Sequence, residues 1–258
     1  MLWSLIMKKP VIIMVTNQKG GVGKTTTSLE LSHLLGADGY KVLCIDTDPQ
    51  GDLTTYLNIE SPQYTLKDIL DAEVLLSEAA IPANTFFVIA GNQKLSQADK
   101  LYGESDDIFL LKDALEDADY DFIILDSPPG KSQLLIMEYV AADYIIAPAE
   151  CDDGSIKGLL RIKEDLDRLK KRHFTNAQVL GTFITKYERT GMHETAYEQM
   201  SESAEDIGGP RFDTKIRKSV RASEAKSARV SITEYERFNN VSLDYKHLKE
   251  EILAKVGI

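Results

Sequence analysis

The sequence predicts an α/β domain with a doubly wound, mostly parallel sheet and helices on both faces. Three observations predict it: six short apolar runs recur along the chain, helical patterns separate most of them, and a glycine-rich loop follows the first run directly.

In chain order the runs are "VIIMVT" (11–16), "KVLCID" (41–46), "FFVIAG" (86–91), "DFIILD" (121–126), "DYIIAPA" (143–149) and "QVLGTFIT" (178–185). They lack apolar–polar alternation, the pattern of parallel strands buried on both faces. After the first run, "TTTSLELSHLLGADG" (25–39) reads as a helix with Gly39 as its terminating glycine. "SIKGLLRIKEDLDRLKKR" (155–172) sets Ile156, Leu159, Leu160, Leu166 and Leu169 at helical spacing, with basic residues in the last turn, where they complement the helix dipole. Residues 52–84 are harder to read and are expected to be a helical excursion from the sheet. The terminal "VSLDYKHLKEEILAKVGI" (241–258) is amphipathic, offering Leu243, Leu248, Ile252 and Val256 to one face, and is expected to pack on the sheet.

Composition sets limits on this reading. The 258 residues, 43% of them hydrophobic, can bury a sizeable core. No Pro/Gly/Ser-rich linker or internal repeat divides them, so a single domain over 9–258 is expected. Residues 1–8 read as an N-terminal extension, with Met7 within it as an alternative start; the apolar opening is too short for a signal peptide and its charges follow it. No run approaches about 18 apolar residues, the length of a membrane-spanning helix. Cys44 and Cys151 form no metal-spacing pattern and point to a reducing, cytoplasmic setting. The net charge of −11 argues against a protein that coats nucleic acid over its whole surface. Residues 211–229 nevertheless carry seven basic and two acidic side chains, whereas residues 99–126 carry ten acidic and two basic.

The loop after the first run, "NQKGGVGKTT" (17–26), carries the chemistry. Gly20, Gly21 and Gly23 permit close backbone approach, so that N–H groups from Lys19 to Thr26, Val22 included, can wrap phosphate oxygens. Lys24 is placed to reach the β- and γ-phosphates, and the Thr25 hydroxyl to ligate Mg²⁺. Strand, loop, Lys-Thr and helix in that order point to a nucleoside triphosphate. The usual G-x-x-x-x-G-K-[ST] pattern fails at one place, because Gln18 stands where its first glycine belongs; a second lysine, Lys19, follows.

Two further segments end strands with carboxylates. "CIDTDPQGDLTTYL" (44–57) presents Asp46 and Asp48 before a D-P-Q-G turn, and "FIILDSPPG" (122–130) carries Asp126 to the sheet edge on four apolar residues. Carboxylates at such positions can hold hydrated Mg²⁺ or orient the attacking water.

Together these motifs resemble the deviant Walker A ATPases of the ParA/MinD family, most closely the ParA (Soj-like) DNA-partitioning branch. The resemblance is clear over 9–150 and weaker afterwards; Ser127, Gly130 and Lys131 depart from the usual residues around the two prolines, and Cys151-Asp152-Asp153 has no reading in it. It implies ATP and Mg²⁺ as cofactors, and a homodimer in which Lys19 reaches the partner's nucleotide. It gives catalytic roles to Lys19, Lys24 and Asp48, with Asp48 positioning water, and assigns Asp46 a metal-side or structural role beside Thr25 and Asp126. "TKIRKSVRASEAKS" (214–227) resembles a ParA segment that contributes to nonspecific DNA binding, which implies Lys215, Arg217, Lys218 and Arg221 as DNA contacts. A ParB-type centromere-binding protein that stimulates slow hydrolysis, a location on the nucleoid and no membrane association complete the expectation. Thr185 and Lys186, past a strand end, are positional candidates for contacting adenine. A MinD-like membrane ATPase and a metabolic ATP-dependent enzyme of the same fold remain the alternatives.

Overall fold

A computed structural model of the chain describes residues 9–202 and 209–258; the expected extension at 1–8, with its alternative start, lies outside the described residues. All six expected strands form, and a seventh joins them. In chain order they are β1 (Val11–Val15), β2 (Val42–Asp46), β3 (Ile81–Ala83), β4 (Phe86–Ile89), β5 (Phe122–Asp126), β6 (Tyr144–Ala149) and β7 (Gln178–Ile184). Their order across the sheet is β3-β4-β2-β5-β1-β6-β7, and every neighbouring pair is parallel except β3–β4. The segment 52–84 is only partly the expected helical excursion. Helices α2 (Asp52–Tyr56), α3 (Leu66–Leu70) and α4 (Leu76–Ala79) are short, and the chain then returns to the sheet edge as β3.

Alternate side chains of the central strands feed two cores. Ile12 and Met14 of β1, Leu43 and Ile45 of β2, and Ile123 and Leu125 of β5 pack on the face covered by α3, α5 (Ala98–Leu101), α6 (Leu110–Leu115), α7 (Gln133–Ala141) and α8 (Asp153–Lys171). Ile13, Val15, Val42, Cys44, Phe122 and Ile124 pack on the other. That second face is covered by α1 (Lys24–Ala37) and by a C-terminal group that follows α9 (Gly191–Glu202): α10 (Arg221–Ala228), α11 (Ile232–Tyr235) and α12 (Asn240–Val256). Burial on both faces explains why the strands read as unbroken apolar runs.

The terminal helix packs as expected, though on a slightly different stripe. Val241, Tyr245, Leu248, Ile252 and Leu253 are its buried apolar residues, grouped on one helical face, while Leu243 and Val256 are only half-buried. Asn239 caps its start by accepting from the Val241 and Ser242 N–H groups, and Gly257, at φ 85°, ends it. Tyr245 reaches across to Thr27 of α1, with hydroxyl oxygens 3.2 Å apart. No helix among the described residues is long and apolar enough to cross a membrane.

Candidate nucleotide-binding site

The glycine-rich loop leaves the carboxyl end of β1, the strand flanked by β5 on one side and β6 on the other. Strand order reverses there, and a doubly wound sheet opens a crevice at that point. Gly23 adopts φ 92°, a left-handed conformation costly for any residue with a Cβ, and α1 starts at the next residue. Asp38 closes α1, with Gly39 beyond it at φ 96°. The first-turn N–H groups of α1 therefore face the loop, giving a helix start suited to an anion.

Two contacts brace this loop from the far strand. Thr185 Oγ1 donates to the Val22 carbonyl at 2.8 Å, and Lys186 Nζ donates to the Gly21 carbonyl at 2.8 Å. Both adenine candidates thus lie against the phosphate loop. Gln18, the residue in place of the missing glycine, forms a tie of its own: its Nε2 donates to Asp165 of α8 at 3.1 Å, and its carbonyl accepts from Gly130 N at 3.1 Å.

The two lysines occupy opposite environments. Lys24 is buried, and its Nζ donates to the Lys19 carbonyl at 3.2 Å; burial pushes its pKa down, against the attraction of Asp126 and Asp48. A phosphate oxygen would supply the counter-charge that it lacks. Lys19 lies at the rim, 3.0 Å from Glu150 and also paired with Asp152. Glu150 in turn accepts from Lys186 at 2.5 Å. Asp152 caps α8, with Oδ1 accepting from Ser155 N at 2.9 Å. The Asp152-Asp153 pair therefore has a partial reading: its first residue is a helix cap that holds the signature lysine.

The strand-end carboxylates also differ. Asp46 is committed within the chain, its Oδ2 accepting from Thr54 N at 2.8 Å and Thr54 Oγ1 at 2.6 Å and its Oδ1 from Asp48 N at 3.2 Å. Asp48 lies in the tight turn that follows, its Oδ1 accepting from Gln50 N at 2.8 Å. Asp126 accepts from Ser28 Oγ at 2.9 Å through Oδ1, whereas its buried Oδ2 has no hydrogen-bond partner among the described residues. Burial, with Asp46 nearby, pushes the Asp126 carboxyl well above the usual range, while Thr25 and Ser28 pull the other way. An orphaned carboxylate oxygen beside Thr25 fits a hydrated Mg²⁺, which takes one or two protein oxygens and completes its shell with phosphate and water.

Lys215, Arg217, Lys218 and Arg221, the residues expected to contact DNA, lie in the C-terminal segment, Lys218 exposed and the others partly so, and each is already paired within the chain. Lys215 meets Glu194 at 3.2 Å and lies 3.6 Å from the centre of the Tyr197 ring. Arg217 grips Asp244 through Nε and Nη2, at 2.9 and 2.6 Å. Lys218 meets Glu188 at 3.2 Å, and Arg221 meets Glu224 at 2.6 Å and Glu236 at 2.8 Å. Lys226, Arg229, Arg237 and Lys246, farther along the chain, have no carboxylate partner among the described residues. The acidic stretch is partly used as well, Asp121 capping Lys41 N at 2.8 Å and Asp99 meeting Gln133 N at 2.5 Å.

Comparison with known proteins agrees with this geometry. A family profile described as an AAA domain matches residues 10–179. The chain is 30% identical to the chromosome partitioning protein ParA of Caulobacter vibrioides, across 95% of this chain and 94% of that one. It is 33% identical to the sporulation initiation inhibitor protein Soj of Bacillus subtilis, across 94% and 98%. Among solved structures, an ATP complex of a Cyanothece McdA variant superposes with a TM-score of 0.86 at 27% identity, covering 97% of this chain and 98% of that one. With the phosphate loop, the strand-end aspartates and the sheet order in place, the chain belongs to the ParA/Soj family of partition ATPases.

Proposed function

We propose that this chain is a dimerising, ATP-dependent DNA-partition ATPase that holds DNA nonspecifically in its ATP state and lets go on hydrolysis. The observation that carries the reading is the division between the two loop lysines. Lys24 is buried under the loop with no carboxylate partner among the described residues, whereas Lys19 is outward at the rim in partly exposed, exchangeable ion pairs. Lys24 serves the chain's own nucleotide, together with the loop N–H groups from Gly20 to Thr26; the Lys19 N–H, expected among them, is held by Asn17 Oδ1 at 3.0 Å. Lys19 is the cation available to a second copy's nucleotide, where it neutralises charge on the transferring phosphoryl group, and supplying it in trans makes hydrolysis depend on dimerisation.

Thr25 and Asp126 would hold Mg²⁺, which when bound neutralises phosphate charge. Asp46 supports the loop through Thr54. Asp48 orients the attacking water. DNA phosphates would replace Glu188, Glu224 and Glu236 on Lys218 and Arg221, whose side chains are 62% and 43% exposed, with Lys215 and Arg217 behind them. The partner that stimulates turnover is a centromere-binding protein of the ParB type, and the setting is the cytoplasmic nucleoid.

The test is binding to a random-sequence duplex with ATP, with ADP and without nucleotide, across a salt series. It includes Lys19→Ala and a variant neutralised at Lys215, Arg217, Lys218 and Arg221. ATP-dependent, sequence-indifferent binding that weakens steeply with salt and is lost in both variants is expected. Intact nucleotide binding with no ATP-dependent DNA binding would overturn the reading.

A further inference from the structure

One buried carboxyl group near the site has no role in this scheme. Glu138 interrupts the apolar run of α7, "QLLIMEYVA" (133–141), and is fully buried. An isolated charge in that setting costs several kcal/mol, on the order of the whole stability margin of many domains, unless it is neutralised or fully paired. Its two oxygens meet two hydroxyls. Oε1 lies 2.7 Å from Thr47 Oγ1, and Oε2 meets Ser127 Oγ. Thr47 sits between Asp46 and Asp48, while Ser127 directly follows Asp126.

We propose that Glu138, held as a neutral carboxylic acid, is a positioning residue for hydrolysis that brackets the loop carrying Asp48 to the loop carrying Asp126. This rests on the ATPase reading above. Counting protons supports the neutral form. Thr47 Oγ1 lies 2.7 Å from the Asp126 carbonyl as well as 2.7 Å from Glu138 Oε1. A carbonyl and a carboxylate both only accept, and a threonine hydroxyl has one proton to give. With Glu138 ionised, one of those two contacts would bring lone pairs together with no proton between them. A proton on Oε1 resolves the conflict: Glu138 donates to Thr47, Thr47 donates to the Asp126 carbonyl, and Ser127 donates to Oε2. Each contact then has its proton.

The surroundings agree. Thr47 is completely buried and Ser127 nearly so, which excludes water as the missing donor at the bracket. Burial pushes Glu138 up to about 7, with the charge of Asp48 adding to the rise and Lys24, Thr47 and Ser127 opposing it. Beyond the bracket, the Thr47 N–H bonds the Asp126 carbonyl at 3.2 Å. Water positioned by Asp48 and metal held by Asp126 must keep a fixed separation for in-line attack, and a misplacement of about 1 Å can cost on the order of a hundredfold in rate.

The test compares the full-length parent with Glu138→Leu and Glu138→Gln by single-turnover ATP hydrolysis, by equilibrium binding of a fluorescent ATP analogue and by infrared difference spectroscopy. Glu138→Leu is expected to lower the hydrolysis rate by about 10- to 100-fold with analogue affinity within about threefold of the parent. Glu138→Gln, whose amide N–H₂ can donate to Thr47 while its carbonyl accepts from Ser127, is expected to recover most of that rate. A protonated-carboxyl stretch should appear in the parent-minus-Gln difference spectrum at about pH 6. If Glu138→Leu does not fold, Thr47→Val and Ser127→Ala each cut one arm and are expected to lower the rate without changing affinity.

A Leu variant that hydrolyses ATP as fast as the parent would overturn the positioning role alone. A Gln variant as slow as Leu, with no protonated-carboxyl band, would overturn the neutral form. A parent chain that binds ATP but never turns it over would overturn the ATPase reading, and the positioning role with it.

Discussion

The Lys19 amine lies 3.0 Å from the Glu150 carboxylate and is shared with Asp152, so the signature lysine is held by its own chain at the mouth of the site. The side chains are partly exposed, at 31%, 24% and 40%, and pairs in that setting contribute about 1 kcal/mol or less. A nucleotide's phosphates across a closing dimer interface can displace such a hold.

Lys19→Ala should therefore leave folding and ATP affinity nearly unchanged, since Lys24 and the loop N–H groups remain. Hydrolysis should fall by about a hundredfold or more, as removal of a preorganised transition-state cation does elsewhere. Calorimetric titration with ATP and phosphate release measure the two quantities separately. Unaltered turnover would remove Lys19 from the reaction.

Arg217 and Asp244 make the second prediction. Asp244 is buried and accepts from Arg217 Nε, Nη2 and backbone N, so the guanidinium completes the packing of α12. Arg217→Ala should cost about 1–3 kcal/mol of stability, because it strands a buried carboxylate, and should barely change the salt dependence of DNA binding. Lys218→Ala, at a 62% exposed side chain, should leave stability unchanged and reduce the salt slope by about 1. Thermal melts and a salt series on the same two proteins decide it.

Much of this was legible in the sequence, for reasons that particular residues show. Each parallel strand announces itself because burial on both faces demands an unbroken apolar run, and "FIILD" ends at the sheet edge for that reason. β3 was not legible: three residues with a proline, on an antiparallel edge, carry no period. The phosphate loop was legible because its chemistry fixes residue types at fixed spacing. Partners from distant segments were not. Nothing in "TKIRKSVRASEAKS" shows that Asp244 waits opposite Arg217, or that Glu194, Glu188 and Glu236 neutralise its neighbours. Glu138 was a missed signal, since one acid within nine mostly apolar helical residues needs a partner. Asp152 was another, because an Asp directly before a helix start is a capping signal.

Gly158 carries the third prediction. A Cβ there would lie 2.0 Å from Asn17 Oδ1, and Asn17 in turn holds Lys19 N at 3.0 Å and the Pro148 carbonyl at 2.9 Å. The glycine lets α8 lie directly against the start of the phosphate loop. Gly158→Ala should push the helix off Asn17, costing about 1–3 kcal/mol despite alanine's better helix propensity. Because Asn17 fixes the loop, ATP affinity should fall several-fold as well. A helix that simply gained stability from alanine, with affinity intact, would show that α8 and the loop are not coupled there.

Glu30 gives the last prediction, on pH. This fully buried carboxyl group of α1 meets Ile232 N, Thr233 N at 3.2 Å and Thr233 Oγ1 at 2.8 Å, fastening the first helix to α11. Burial pushes its pKa up from 4.5 to about 7, against the three hydrogen bonds that favour the charged form. In the unfolded chain the group titrates near its ordinary value, so between about 4.5 and about 7 the folded state binds more protons than the unfolded state. The stabilising contribution is then fully present below the lower value and is lost as pH rises through the upper one. For a single group this is on the order of 3 kcal/mol. Asp46 and Glu138, raised to about 6 and about 7, act in the same direction. Unfolding free energy measured with urea should accordingly fall as pH rises from about 5 to about 8. Glu30→Gln cannot titrate; it should lower stability at the acidic end, where it offers a poorer match to three donors, and make the slope shallower by Glu30's own share. Equal slopes in parent and variant would show that Glu30 is already ionised throughout the range, held so by the N–H groups of Ile232 and Thr233.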